Sequence, residues 1–410
     1  MRLTDGTART QSAQDAQATK LIAWLDGCFH REEEWYKKFL ECRGPSAQKL
    51  LDLLQDLLDL SPTKQPRLLN ALRRLSSESK LYPHCFRLPH LQNKIKTGGG
   101  TFSDVYVASL GDQQLAVKEM RVFGEMDIAT YEEAFSKEAI TWRQLSHPNV
   151  LPFYGLFKDG TQLCLVSPWM ENGHICKFLK TQPQACNIDK RLSLILDIAL
   201  GLEYLHKQGI VHADLKGDNI LVTPALNACI ADFGLSKVAP TPSSLPHFIS
   251  QPYGTGAVHY QAPELHAFDA GTKLKAADSR SDIYSFGCLM YEVMAGKHPF
   301  SNMLNIGAVI SEVTNGRRPP CPPPECRLEI RKLNAAWTLV EACWAQNPNE
   351  RPTAAQVVEA LKGTGIGARE TKPPGSWDHS STSRFRRDLG GMQPLPSVPE
   401  LQMMVYGTHY

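Results

Sequence analysis

HADLKGDNILV, running from His212 to Val222, with DFG ten residues later at Asp232 to Gly234, decides how this chain is read. It sets an acid at Asp214, a lysine two residues on at Lys216 and an amide five residues on at Asn219. A second acid, Asp232, lies thirteen residues beyond the amide. Phosphoryl transfer from ATP asks for such a kit: a carboxylate facing the attacking hydroxyl, a cation for the transferring phosphate, and two oxygen ligands for magnesium. Each residue alone reads as a solvated surface charge. The ordered set does not, because chance rarely delivers this spacing between two apolar strand-like runs, IVH and ACIA.

Upstream, NKIKTGGGTFSDVYVA reads as strand, tight turn, strand. Glycines let a backbone fold over phosphates with its amides free to donate. A lone GxG is weak evidence, since turns use glycine routinely. Here LAVKEM follows, with Lys118 on a predicted strand and not directly after the glycine loop, which separates it from the Walker-A arrangement. A lysine in an apolar strand needs a counter-charge, because a buried ammonium without one is costly. The next segment, YEEAFSKEAITWRQLSHPNVLPFYG, has helical periodicity, with Phe135, Ile140 and Leu145 among its apolar positions.

With these pieces in order, the chain resembles a eukaryotic protein kinase over residues 91–362, about two-thirds of its length. The resemblance implies an α+β, bilobal fold with a small β-rich lobe and a large helical one. It assigns Gly98 and Gly100 to the lid over ATP, Phe102 to the tip of the turn, and Val105 and Ala116 to the adenine pocket. The third glycine position is Ser103, a departure. Lys118 would hold the α and β phosphates, paired with Glu138, nine residues before His147 of HPN. Glu132 and Glu133 read as a solvated first turn, favoured there by the helix dipole. LCLVSPWMENG resembles the hinge, with Ser167 at the gate behind adenine and Met170 at the adenine edge; taken alone it is a hydrophobic strand ending in a turn.

In the larger lobe the family places Asp214 at the substrate hydroxyl, Lys216 at the γ phosphate, and Asn219 and Asp232 on Mg2+. RLSLILDIALGLEYLHKQGIV is an apolar-striped helix leading into that loop, and its stripe reads as core. His212, Phe233, Phe153 and Trp142 fall at positions that stack across the lobes of kinases, a role that amounts to core. Glu264 of APE and Arg351 of NERPT correspond to a buried ion pair, and Asp282 to a residue that ties down the catalytic-loop backbone. Two departures stand out. Ala213 replaces the usual arginine before the catalytic acid, which puts phosphate-dependent activation in doubt. Ala257 falls where a Ser or Thr is usual before APE, with Thr255 two residues earlier.

Lysine at Asp+2 points to Ser and Thr substrates over Tyr, and HPNVLPFYG with the ERPT ending resembles the tyrosine-kinase-like group in a fungal form. Dual specificity stays open. The expectation is an active protein kinase using ATP and Mg2+ on protein substrates in intracellular signalling. The rival is a pseudokinase scaffold that binds ATP and recruits partners through a helical N-terminus. Lys118, Asp214 and Asp232 are all present, which weighs against it; Ser103, Ala213 and Ala257 keep it in play.

The flanks and composition frame this reading. The 410 residues suffice for two lobes and one smaller unit. Acids and bases, 42 and 44, are interspersed for a net charge of +2, which implies neither nucleic acid nor an anionic membrane as partner. No apolar run reaches spanning length and the N-terminus lacks a secretory pattern. The eleven cysteines have no paired metal spacing and read as reduced thiols in a cytoplasmic protein, with nuclear import left open. Residues 1–12 are expected to be disordered. Residues 13–90 carry several helix-like stripes punctuated by Gly44-Pro45 and Ser61-Pro62, including Leu50, Leu51, Leu54, Leu57 and Leu58. That stripe is expected to pack on sister helices or the small lobe, and a protein partner for these helices is a further expectation. Residues 363–410 turn to Gly, Ser, Pro and Arg and read as a disordered tail.

Overall fold

The computed structural model describes residues 4–30, 34–61, 65–88, 90–99, 103–120, 139–159, 162–182, 187–232, 237–238, 257–266, 276–322, 330–363 and 395–406. They form two compact units, one from 1–145, 152–169 and 380–410, the other from 146–151 and 170–379.

In the first unit, four helices precede the sheet: α1 (Thr4–His30), α2 (Glu34–Glu41), α3 (Gly44–Leu60) and α4 (Pro66–Ser79). Proline sits in the first turn of both α3 and α4, where its missing N–H costs nothing. The leucine stripe is broad because α3 packs on both flanks: Leu50, Leu51, Leu54 and Leu57 are all buried. Aromatic rings weld α1 to α2, with Trp24 edge-on to Trp35 at 5.1 Å and Phe29 against Phe39 at 5.5 Å. The bundle also bonds to the helical turn 139–143 ahead of HPN. Arg143 pairs with Asp59 of α3 at 2.8 Å, Gln144 Nε2 donates to Gln55 Oε1 at 3.0 Å, and Arg73 Nη2 donates to Thr141 Oγ1 at 3.0 Å. The leucines of α3 are buried, while its polar residues Gln55 and Asp59 reach the segment ahead of HPN.

The sheet is antiparallel in the order β1-β2-β3-β5-β4, from β1 (Gln92–Gly99), β2 (Ser103–Leu110), β3 (Gln113–Met120), β4 (Gly155–Asp159) and β5 (Gln162–Pro168). Strand alternation divides its residues cleanly. Ala108, Leu115, Val117, Cys164 and Val166 face a core completed by Leu88, Leu91, Tyr154 and Phe157. The register pairs Val105 with Lys118 and Lys118 with Leu165, and pairs Ala116 with Ser167, so these five residues share the opposite face.

Two ends of the chain differ from expectation. Helix α1 starts at Thr4, inside the stretch 1–12 expected to be disordered. The tail contains a helix, Val398–Tyr406, which packs on α2 and α3. Its cap is written as Ser397-x-x-Glu400. The Ser397 amide and hydroxyl both donate to Glu400 Oε2, at 2.6 and 2.8 Å, while the Glu400 amide returns to Ser397 Oγ at 3.4 Å. Leu401 and Val405, one turn apart, are the buried side chains. Gln17 of α1 fixes the approach by donating to the carbonyls of Leu395 and Pro396 at 2.8 and 3.2 Å.

The second unit is mostly helical. The helix Ile188–Lys207 is capped by Asn187 and buries Leu192, Ile195, Ile198, Leu202 and Leu205. Gly201 on it is obligatory, since a Cβ there would sit 2.5 Å from the carbonyl oxygen of Asn149. The helix Ser279–Ala295 opens on a complete Asp278/Ser281 capping box and stops at Gly296, which is left-handed. Among the described residues no helix is long and apolar enough to cross a membrane.

Candidate active site

The loop between the two-residue strand Ile210–Val211 and the strand Ile220–Val222 has too little regular structure to hold itself. Buried acids from the Ser279–Ala295 helix hold it instead. Asp282, 1% exposed, accepts from the backbone amides of His212 and Ala213, each at 2.8 Å, and meets His206 Nε2 at 2.9 Å. Ala213 needs that anchor, since its φ of 67° lies in the left-handed region where a non-glycine residue is strained. Glu292 takes the next contact: its Oε2 accepts from the Gly217 amide at 3.1 Å and from the Tyr260 hydroxyl at 2.8 Å. Gly217 is required here, because a Cβ would lie 2.2 Å from Cys176 Sγ and 2.4 Å from Glu292 Oε2. Burial first, then the Glu292 charge, holds the Tyr260 phenol protonated far above its usual range.

On this frame Asp214, Lys216 and Asn219 converge. Lys216 Nζ lies 2.6 Å from Asp214 Oδ2, and Asn219 Nδ2 donates to the same oxygen at 3.0 Å and to the Asp214 carbonyl at 2.7 Å. Both donors meet one carboxylate oxygen, so Asp214 Oδ1 accepts no hydrogen bond from the described residues. The Ala231 amide donates to the Asn219 carbonyl at 2.8 Å, which brings the adjacent Asp232, in left-handed backbone with φ 64°, to the same end of the unit. An amide oxygen and a carboxylate are hard donors that suit Mg2+, and Asn219 spends its nitrogen on Asp214, leaving its oxygen for a cation.

In the first unit, Val105, Ala116, Lys118 and Ser167 line one face of the sheet, and Gly98 lies opposite Val105 on β1. A Cβ on Gly98 would meet nothing within 4 Å, so no packing demand explains that glycine. Met170 belongs to the second unit and is 4% exposed. Trp142 and Phe153 meet in the first unit with centroids 5.3 Å apart and ring planes tilted by 39°. Gly100, Phe102, Glu138 and Phe233 lie outside the described residues, as does Thr255. Arg351 and Glu264 meet in two parallel bonds of 2.7 and 2.8 Å, with the guanidinium also 5.1 Å from the Tyr284 ring.

The protein tyrosine and serine/threonine kinase family matches residues 91–361. The chain belongs to that family. This kinase is 29% identical over 298 residues to "Serine/threonine/tyrosine-protein kinase HT1" of Arabidopsis thaliana, covering 72% of this chain and 71% of that one. It is 30% identical to "Serine/threonine-protein kinase CTR1" of the same plant, over 66% of this chain and 31% of that one. It is 29% identical to "Dual specificity protein kinase pyk3" of Dictyostelium discoideum, over 65% of this chain and 18% of that one. The kinase thus spans under a third of the length of two of these three relatives, and its similarity runs to the tyrosine-kinase-like group.

Two features of the site have little sequence signal. Glu292 sits in SDIYSFGCLMYEVMAGKHPF, where one acid in an apolar helix was the available cue. His206 has a partner 76 residues away, which no local pattern shows.

Proposed function

We propose that this kinase transfers the γ-phosphate of ATP to serine and threonine hydroxyls of protein substrates in intracellular, cytoplasmic signalling. The observation that carries this reading is the convergence of Lys216 and Asn219 on Asp214 Oδ2, which leaves Oδ1 for an incoming hydroxyl. In this reading Asp214 Oδ1 orients the hydroxyl and accepts its proton as the new P–O bond forms. Lys216, two residues on, offsets charge on the transferring group. Lys118 holds the remaining phosphates from the sheet face it shares with Val105 and Ala116, and Glu138 pairs with it. Asn219 and Asp232 supply oxygen ligands for Mg2+, which neutralises phosphate charge when bound. Glu264 with Arg351, and Asp282, act structurally, keeping the loop in place so that catalysis is positioning and electrostatics.

The relatives' names divide over specificity: one is called a serine/threonine, one a dual specificity and one a serine/threonine/tyrosine kinase. Lysine at Asp+2 favours Ser and Thr here. The fungal form of the group rests on resemblance alone, and the protein partner of the N-terminal helices stays a proposal. The decisive experiment incubates the purified chain with Mg-ATP and a degenerate peptide library, alongside Asp214→Asn. Phosphate on Ser and Thr peptides, lost in the variant by at least a thousandfold, is expected. ATP binding without transfer would instead establish the scaffold reading, and transfer to Tyr alone would overturn the specificity.

A further inference from the structure

Beside the catalytic loop, three side chains of metal-ligating type gather, and a fourth, Glu292, meets one of them. A ring nitrogen of His174, Cys176 Sγ and a carboxylate oxygen of Asp218 all lie within 4.8 Å of one another. His174 is the residue that precedes the Ile175–Thr181 helix, yet its ring makes no capping bond, and its Nδ1 is buried with no hydrogen-bond partner. That nitrogen is 3.4 Å from Asp218 Oδ1. Cys176 Sγ is 3.1 Å from Glu292 Oε1. Glu292 is a buried carboxylate whose donors among the described residues, Gly217 N–H, Tyr260 O–H and the Cys176 thiol, are all neutral. A buried acid bonded only by neutral donors, one of them a thiol that itself lies near Asp218, is a charge arrangement that a cation would relieve.

We propose that His174, Cys176, Asp218 and Glu292 form a binding site for a zinc-like divalent cation. One imidazole, one thiolate and two carboxylates are the ligand types of a four-coordinate zinc site. Zinc bonds of about 2.0–2.3 Å put the ligand atoms of a tetrahedron roughly 3.3–3.7 Å apart. The Nδ1–Oδ1 separation of 3.4 Å already has that length, and the Sγ–Oε1 separation of 3.1 Å is close to it. Closing the site brings the partly exposed His174 ring and the exposed Asp218 side chain toward Glu292 Oε1, which meets the cluster through Cys176 Sγ. Binding forms the metal–sulfur bond as the Cys176 S–H bond breaks, and the proton leaves to solvent. Glu292 keeps its Oε2 contacts to Gly217 and Tyr260 and uses Oε1 for the metal. The ion would rivet Asp218, one residue before Asn219, to the Ser279–Ala295 helix and to the start of the helix beyond the hinge. None of this depends on phosphoryl transfer.

The test uses the full chain, stripped with a chelator and titrated with Zn2+ against a chromogenic competitor, with bound metal counted by mass spectrometry. One zinc per chain is expected, with a zinc-dependent rise in the unfolding midpoint. His174→Ala and Cys176→Ser should each weaken binding at least tenfold. Co2+ in place of zinc should give a thiolate-to-cobalt charge-transfer band that Cys176→Ser abolishes. Absence of stoichiometric zinc would overturn the proposal, as would zinc binding that both variants leave unchanged, which would place the ion on other cysteines or histidines. If Cys176→Ser fails to fold by circular dichroism, His174→Ala at its partly exposed position decides the matter alone.

Discussion

Residues 212–222 and residues 395–406 are stretches of similar length held in place by different physics. The first is fixed by buried carboxylates: Asp282 binds two consecutive amides, and Glu292 binds a third five residues after His212. The second is fixed by two apolar side chains, a self-contained cap and one glutamine. A carboxylate bonded to particular amides tolerates one backbone path, whereas Leu401 and Val405 would be content in many grooves. Damage should therefore propagate differently. Loss of a partner in the polar frame strands a buried group that has no water to turn to. Loss of an apolar contact in the tail lets a peripheral helix detach and nothing more.

The largest expected effect tests the polar side. Arg351→Ala leaves Glu264 facing a gap beneath Tyr284 and should cost about 3–5 kcal/mol. The double variant with Glu264→Ala should cost clearly less than the two losses added. Denaturant melts that show strict additivity would mean that the pair carries no coupling. Next in size is Asp282→Ala, which frees the amides of His212 and Ala213 and leaves Ala213 in its left-handed conformation without an anchor. Roughly 2–4 kcal/mol is expected from two unmet donors, with phosphoryl transfer falling further than stability explains because Asp214 is next in sequence. An unchanged rate in folded Asp282→Ala would separate the frame from the chemistry.

The tail should yield less, and should saturate. Leu401→Ala removes a fully buried side chain, but the helix can leave instead of leaving a cavity. Its cost is then capped at the docking free energy, about 2 kcal/mol from burying two aliphatic side chains less the entropy of ordering the segment. Deletion of residues 395–410 should cost no more than Leu401→Ala combined with Val405→Ala. A deletion that unfolds α2 and α3, seen as lost hydrogen-exchange protection there, would show the tail to be integral to the bundle.

The same contrast explains what could be read in the sequence. The convergence of Asp214, Lys216 and Asn219 was legible because the three lie within six residues of one another in a single loop. Lys118 and its strand were legible because alternation and a charged residue coincide. The leucine stripe of α3 revealed a helix but not its neighbours, since periodicity reports which residues are apolar and not what they face. Glu292 and His206 were hidden because each finds its partners through tertiary contact across tens of residues. The tail helix was hidden because Gly, Ser, Pro and Arg around it lower the local average, although Ser397-x-x-Glu400 with Leu401 and Val405 behind it is a cap followed by a stripe. A composition window misses what a four-residue pattern shows.

Acid should probe the comparison most gently. His147 is stacked on Tyr204 at 4.9 Å, and its Nδ1 accepts the Asn149 amide at 3.1 Å, a bond only the neutral ring can make. Burial lowers its pKa from 6.5 to about 4, with Lys207 adding to the effect and Glu203 opposing it. The folded state thus binds fewer protons than the unfolded chain between these values, so stability rises with pH in that window and is lost as pH falls through it. From pH 7.5 to 5.5 the loss should be about 1 kcal/mol. His259 and His266 are also lowered by burial, so the contribution of His147 is isolated by comparison with His147→Gln, which cannot titrate. Urea melts at the two pH values should show a smaller pH dependence in the variant, by about that amount. The tail offers the control. Glu400 is held below its usual range by the Ser397 amide and hydroxyl, so the contribution of its cap is complete at both pH values and fades only below about pH 4.5. Hydrogen exchange in Val398–Tyr406 should therefore not respond to this acidification once intrinsic rates are corrected, while amides around His147 lose protection. Equal loss in both places would mean that one cooperative transition, and not a local titration, governs the acid response.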